Sequence, residues 1–330
     1  MGQSMDRLIR AAAGQERPFS AQLELTYRCN WRCVFCYNPR HFDREGMALA
    51  DWERVFDDLR DLGTMNLTLT GGEPLEHPEF FEIAEAARRR HFAIRIYTNG
   101  SLIDEALAAR IAALYPFTVE MSLHGATPET HDKATCRPGS QAAMLRGLDA
   151  LQGLGVTVVL KTPVTSINEH ELGAMIAMVS RLGVPYKIDP NITARDDGDP
   201  KPLDWAPSRE AMRAALEIGL RTETVHPVER TPGGINCKLG TTVLTIDPEG
   251  NVFPCHQWRH ASIGNVKVTP LREMWFGSEV RAEARQIARQ ANDMLVERGG
   301  ALADRVHHLA ERLGERLHAV VQQLRAVLIE

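Results

Sequence analysis

The chain has 330 residues, a net charge of −5 from 38 Lys+Arg against 43 Asp+Glu, and six Cys. A chain this long can bury a large core, with one domain and a smaller appendage as the natural division. Its slightly acidic balance gives no electrostatic case for nucleic acid, and no apolar run is long enough to span a bilayer. The start, "MGQSMDRLIRAAAGQERPF", lacks the apolar core of a secretory signal, and Asp6 breaks the myristoylation pattern. Six Cys are too few for a disulfide scaffold. The sequence therefore reads as soluble and cytoplasmic, with no nucleic-acid or membrane partner, and its clustered Cys read as ligands rather than cystines.

After an N-terminal segment (1–19), β-rich apolar runs alternate with helical patterns. The predicted strands are "LELTY" (23–27), "MNLTLT" (65–70), "FAIRIYT" (92–98), "FTVEMSL" (117–123), "VTVVLKT" (156–162) and "VPYKID" (184–189). Helical stretches such as "ADWERVFDDLRDL", "PEFFEIAEAARRRH", "IDEALAARIAAL" and "NEHELGAMIAMVSRL" lie between them. Six such units over residues 20–205 predict an α/β fold, a partial (β/α)6 TIM-type barrel. The unusual residues gather at the carboxyl ends of the strands: three Cys after the first, "TGGEP" after the second, "TNG" at the third, "SLHG" at the fourth, "KT" at the fifth and Asp189 at the sixth. In parallel α/β folds that end faces the ligand.

A polar, Pro-containing connector follows residue 190. The segment 206–276 is expected to be a small α+β extension. It holds the helix "REAMRAALEIGL" and then "CKLGTTVLTIDPEGNVFPC", where "DPEG" is a hairpin turn with Cys237 and Cys255 at the outer ends. The remainder, 277–330, is expected to be helical. Leu302, Val306, Leu309, Leu313, Leu317, Val320, Leu324 and Val327 form an amphipathic stripe, read as packing on its own domain, with a dimer seam as the alternative.

In "TYRCNWRCVFCYNPR", Cys29, Cys33 and Cys36 fall within eight residues. Zinc would want a fourth ligand and a second pair from a small module; His41 lies near, but no such module is visible. A redox Cys-x-x-Cys would leave Cys29 unused. A cubane cluster held by three thiolates uses all three and leaves one iron open for a substrate or cosubstrate.

The spacing Cys29-x-x-x-Cys33-x-x-Cys36, with Phe35 before the last Cys, resembles the signature of the radical S-adenosylmethionine (SAM) superfamily. The resemblance covers residues 20–190. It implies a [4Fe–4S] cluster whose open iron chelates SAM, and reductive cleavage of SAM to a 5′-deoxyadenosyl radical that abstracts a substrate hydrogen. By the same resemblance Gly71, Gly72 and Glu73 of "TGGEP" meet the methionine end of SAM, with Glu73 accepting from the ammonium. Thr98, Asn99, Ser122 and Arg137 match further cofactor positions, against ordinary turn, strand-end and solvated roles. Lys161 matches a position that reaches substrate or SAM, and at a barrel rim it needs an anionic partner. Asn168 and Glu171 read as a helix cap, and His124 and Cys136 as structural residues.

The second Cys pair resembles the opening of the SPASM and twitch extensions, in which Cys on each side of the hairpin help ligate an auxiliary iron–sulfur cluster. The family then supplies further Cys, whereas this chain has none after Cys255 and offers locally only His256 or His260. Three readings stay open: an auxiliary cluster with unusual ligation by Cys237 and Cys255, a hydrogen-donor role for Cys255, or two inert Cys.

The resemblance implies a low-potential electron donor of the flavodoxin or ferredoxin type. It points to a maturase that cross-links, epimerises or oxidises a ribosomally made peptide. A dehydrogenase or epimerase of a small molecule such as an aminoglycoside is the alternative, and a zinc-binding scaffold the distant one. With 20 residues before the first strand, leader recognition is expected to need another surface or a separate leader-peptide-binding protein.

Overall fold

The structure, a computed structural model, describes residues 2–41, 46–221 and 238–296. The elements in order are α1 (Gly2–Gly14), β1 (Ser20–Glu24), α2 (Leu49–Leu62), β2 (Asn66–Thr70), α3 (Phe80–Arg89), β3 (Ala93–Thr98), α4 (Glu105–Ala113), β4 (Thr118–Ser122), α5 (Pro128–Thr135), α6 (Ser140–Gly153), β5 (Val158–Pro163), α7 (Leu172–Leu182), β6 (Tyr186–Asp189), α8 (Arg209–Arg221), β7 (Val243–Ile246), β8 (Asn251–Phe253), β9 (Gly264–Asn265), α9 (Leu271–Gly277) and α10 (Glu279–Val296). Among the described residues no helix is long and apolar enough to cross a membrane.

All six expected βα strands form and pair in parallel, as a partial barrel requires. Leu23, Leu69, Ile96, Val119 and Val158 run across neighbouring strands in one row, each almost wholly buried. Alternation along each strand puts the polar residues on the other face. There Tyr97 is in register with Glu120, and Ser122, Lys161 and Lys187 stand side by side. The apolar face lies under the helices and the polar face lines the inside of the barrel.

The first strand begins earlier than its apolar run suggests. Ser20 to Glu24 are in register with Asn66 to Thr70, and Leu25 N–H to Thr70 O at 2.8 Å extends the pairing past the strand. Beyond it the chain turns aside into the Cys loop, so "TY" is loop rather than strand.

The extension forms the expected hairpin. Asp247 Oδ1 accepts from the amides of Glu249 and Asn251 at 2.9 and 2.8 Å, and Gly250, at φ +91°, donates back to Asp247 O. The hairpin continues the main sheet. β7 pairs in parallel with β1, on the side opposite β2, and β8 and β9 follow antiparallel. Further contacts bind the segment before β1 to α9 and α10. Trp275 Nε1 donates to Glu16 O at 2.6 Å, and Arg281 and Arg285 pair with the Glu16 carboxylate. Cys237 and the stripe over 302–327 lie outside the described residues.

Candidate active site at the carboxyl ends of the strands

The Cys loop leaves β1 and is tied down along its length. Arg32 and Val34 donate their amides to Thr135 O and Ala134 O, both at 3.0 Å, so the last turn of α5 holds the middle of the loop. Cys29 N–H donates to His41 O, and Asn38 Nδ2 to Tyr27 O at 2.7 Å. Trp31, 2% exposed, anchors the loop from beneath, edge-on to His131 and His124, and Phe35 packs on His124. Phe35 and His124 thus pack together against the loop. Cys136, at φ +52°, ends α5 in the left-handed region and is exposed.

Cys29, Cys33 and Cys36 are half-buried and are not paired in disulfides. Burial, then the neighbouring Glu73, pushes the Cys29 thiol up to about 12. Burial, then Cys36 and Cys29, raises Cys33 well above its ordinary value, and burial raises Cys36 to about 11. Three thiolates here would be desolvated and would repel one another, a cost that a bound soft cation offsets. The donor set therefore fits an iron–sulfur cluster. Among the described residues no three His, Cys, Asp or Glu converge on a single metal ion. A cubane presents a separate iron to each thiol and does not require that convergence.

Glu73 sits next to this loop and is fully buried. It accepts from Thr98 Oγ1 and the Asn99 amide, each at 2.7 Å, and from the Leu75 amide at 3.2 Å. Burial nevertheless raises its pKa to about 7, against those hydrogen bonds. A cation docking there would restore the carboxylate. Asn99 is shared: its Nδ2 donates to Asn30 Oδ1 at 2.7 Å and lies 4.0 Å from Cys29 Sγ, while Ser101 closes the ring. Thr98, Asn99, Glu73 and Cys29 thus form one network. Asn30 and Ser101 belong to it too, and their only sequence signal was adjacency to the motifs.

The two glycines before Glu73 answer first to the chain itself. A Cβ on Gly71, at φ +145°, would strike Thr26 O, and one on Gly72 would strike Tyr27 O and Arg28 O. The Gly72 and Glu73 amides donate to Thr26 O and Arg28 O at 2.7 Å. The close approach expected towards a cofactor is thus made here to the start of the Cys loop.

Across the inner face Lys161 finds the anionic partner it needs in Glu120, at 3.3 Å, and lies over the Tyr97 ring. Lys187 holds the same carboxylate at 2.8 Å. Burial alone would raise the Glu120 pKa, but the two lysines hold it below its ordinary value. Ser122 is half-buried beside Lys161. Arg137 is exposed just beyond α5, and its side chain makes no hydrogen bond or ion pair among the described residues. The Asn168–Glu171 cap needs correction. Asn168 bridges Thr165 N, Pro163 O and His124 O. Glu171 caps a different helix, accepting from Ala126 N, Thr127 N and Oγ1, and Thr130 Oγ1 at the start of α5.

From the extension, Arg259 reaches Glu24 and Asp196 on the inner side of the barrel. Cys255 Sγ lies 3.7 Å from His256 Nδ1. His256 is exposed. Desolvation, then Arg259 and Lys161, pushes its pKa down to about 4. His260 stacks on Trp258. No pattern in the sequence joins Arg259 to Glu24 or Lys187 to Glu120.

A partial barrel with a thiol loop at the carboxyl end of its first strand places three soft donors where parallel α/β folds meet their ligands. The profile of the Radical SAM superfamily matches residues 23–179, and that of the iron–sulfur cluster-binding SPASM domain matches 237–296. The chain belongs to the radical SAM superfamily and is a radical SAM enzyme with a C-terminal SPASM domain. It is 27% identical to the AdoMet-dependent heme synthase of Methanosarcina barkeri, over 78% of this chain and 82% of that protein. It is 29% identical to the mycofactocin maturase MftC of Mycobacterium ulcerans, over 73% and 69%. With the PqqA peptide cyclase of Granulibacter bethesdensis it shares 24% identity, over 80% and 75%. In fold it is similar to Streptococcus suis SuiB bound to precursor peptide SuiA, with a TM-score of 0.68 at 15% identity, over 84% of this chain and 70% of that one. It is also similar to anSMEcpe with bound AdoMet and Cp18Cys peptide, with a TM-score of 0.66 at 16% identity, over 86% and 87%.

Proposed function

We propose that the protein cleaves SAM reductively and uses the product to abstract a hydrogen from a ribosomally made peptide, leaving a cross-link, an inverted centre or an oxidised bond. Cys29, Cys33 and Cys36 hold a [4Fe–4S] cluster and Glu73 takes the SAM ammonium. The observation that carries this is the sharing of Asn99 between Glu73 and Cys29, which sets an acceptor for the ammonium beside a metal donor. When bound, the cluster supplies the electron that splits the sulfonium.

The chain's own residues position and enclose. Thr98 and Asn99 keep both Glu73 oxygens aimed, while Gly71 and Gly72 lock that segment to the Cys loop. Arg259 ties the extension to Glu24 on β1. Ser122, Arg137 and Lys161 are candidates for further contacts with SAM or substrate, and Phe35 for support of the cluster loop. The barrel core is assigned to 20–205 and the extension to 206–276, with 1–19 and 277–330 flanking them. Cys255, with Cys237, either ligates an auxiliary cluster or donates a hydrogen atom. A flavodoxin- or ferredoxin-type donor supplies electrons, and the leader is read by another surface or by a separate leader-peptide-binding protein.

Similarity to a maturase and a peptide cyclase, and to folds solved with peptides, supports a peptide substrate. Similarity to a heme synthase supports the small-molecule reading. Anaerobically reconstituted, reduced protein is expected to carry iron and acid-labile sulfide and to convert SAM to 5′-deoxyadenosine and methionine. Cys29→Ala, Cys33→Ala and Cys36→Ala should each abolish this. Zinc without iron, or unchanged cleavage in those variants, overturns the assignment.

A further inference from the structure

Three polar side chains from two separate segments close into a ring beside Cys29. Asn99 Nδ2 donates to Asn30 Oδ1 at 2.7 Å, Asn30 Nδ2 to Ser101 Oγ at 2.9 Å, and Ser101 Oγ back to Asn99 Oδ1 at 2.7 Å. One backbone group sets the sense of the whole ring. The Ser101 amide can only donate, and it meets Asn99 Oδ1 at 2.9 Å, so the other end of that side-chain amide is the nitrogen. Asn99 therefore meets Asn30 with a donor, which fixes the orientation of Asn30 in turn. Both lone pairs of the Asn99 oxygen and one of its two N–H bonds are used inside the ring. Asn99 is 7% exposed, and Cys29 Sγ lies 4.0 Å from the nitrogen that carries the remaining N–H. The hold on Glu73 does not involve this side chain, since Glu73 Oε2 accepts from the Asn99 backbone amide.

We propose that the Asn99 side chain donates to the cluster ligand Cys29 and raises the reduction potential of the cluster, with Asn30 and Ser101 as the positioning residues that aim it. The inference rests on the iron–sulfur reading above. A ligating sulfur becomes more negative when its cluster takes up an electron. A donor N–H then stabilises the reduced state more than the oxidised one, and the potential rises. The other donor to Cys29 Sγ is the Trp31 backbone amide at 3.4 Å, which no side-chain substitution removes. Asn99 is thus the part of this environment that the sequence can vary. Contact with SAM is the competing use of Asn99, and the ring leaves a single N–H, within reach of the sulfur, for either task.

Asn99→Ala, Asn30→Ala and Ser101→Ala are compared with wild type after anaerobic reconstitution of the full chain. The reduced-state paramagnetic resonance signal that is missing from Cys29→Ala belongs to this cluster, and its midpoint is read by titration with dithionite. At the wild-type midpoint, Asn99→Ala should lower the reduced-to-oxidised ratio about tenfold, about 59 mV for one electron. Asn30→Ala and Ser101→Ala should lower it about threefold with SAM affinity unchanged, because the Ser101 amide still holds Asn99 Oδ1. Ser101→Thr keeps the hydroxyl and should restore the wild-type midpoint. A purely structural role would lower iron retention and leave the midpoint of the remaining cluster where it was. A midpoint unmoved in all three alanine variants overturns the tuning. A tenfold loss of SAM affinity in Asn30→Ala or Ser101→Ala at an unmoved midpoint also overturns it, since the ring would then serve SAM. If Asn30→Ala loads no iron, Ser101→Ala decides, because Ser101 meets the thiol loop through Asn30. Wild type that takes up no iron and sulfide removes the cluster reading itself.

Discussion

Arg259 and Glu24 form an ion pair across 235 positions of sequence, with side chains only 9% and 2% exposed. The pair joins the segment after the hairpin to the first strand of the barrel, next to where β7 pairs with β1. Burial raises the Glu24 pKa even with the guanidinium beside it. The geometry therefore depends on both partners being present. Arg259→Met strands a buried carboxylate and should cost about 3–5 kcal/mol in urea unfolding, whereas Arg259→Met with Glu24→Gln should recover most of the loss. Equal losses in the two variants would show that the pair contributes little beyond packing.

Asp196 faces the same guanidinium at 3.6 Å, and burial pushes its pKa up to about 7. A folded value above the unfolded one means that the folded state keeps a proton the unfolded chain has released. This group therefore makes stability fall as pH rises from about 4 to about 7, with no further change above. Asp196→Asn removes the effect. The stability of the variant minus that of wild type should rise across the window by no more than about 4 kcal/mol. Urea midpoints at pH 4.5, 6 and 7.5 test the sign; a difference that stays flat or falls refutes it.

Glu171 caps α5, and the other end of α5 holds the Cys loop through Thr135 O and Ala134 O. Glu171→Ala removes four hydrogen bonds and should cost about 2–3 kcal/mol. Iron retained after reconstitution should fall, although no thiol is touched. Glu171→Gln keeps acceptors for part of the set and should lie between. Full iron retention in the alanine variant would mean that the loop does not need α5.

Cys255→Ala and Cys237→Ala should leave the first cluster and SAM cleavage in place. If the pair ligates an auxiliary cluster, iron per chain falls by about four atoms in each variant. If Cys255 instead donates a hydrogen atom, iron is unchanged while turnover of substrate stops. Unchanged iron and unchanged turnover would leave the two Cys inert.

Much of the fold is written in local pattern. Alternating apolar runs and helical stretches specify six βα units, because a strand that buries one face under helices needs that periodicity wherever it sits. The motif residues are legible for a related reason: thiols at fixed spacing, "GGE" and "TNG" place chemistry at strand ends, which parallel topology gathers on one side. Local pattern failed where the partner is distant. The start of β1 follows its register with Asn66–Thr70 and Val243–Ile246, and apolar density alone put it three residues late. The Asn168 and Glu171 side chains look like a local cap and instead bridge to β4's loop and to α5. Gly71 and Gly72 are demanded by the backbone of residues 26–28.

The sequence by itself determined the class of fold and put three thiols and "GGEP" at the ends of its first two strands, since both rest on pattern along the chain. Tertiary structure alone decided that the hairpin extends the sheet at β1, that Arg259 meets Glu24, and that one buried carboxylate carries two lysines. Charges are paired by where the sheet brings them, and no interval in the sequence encodes that distance.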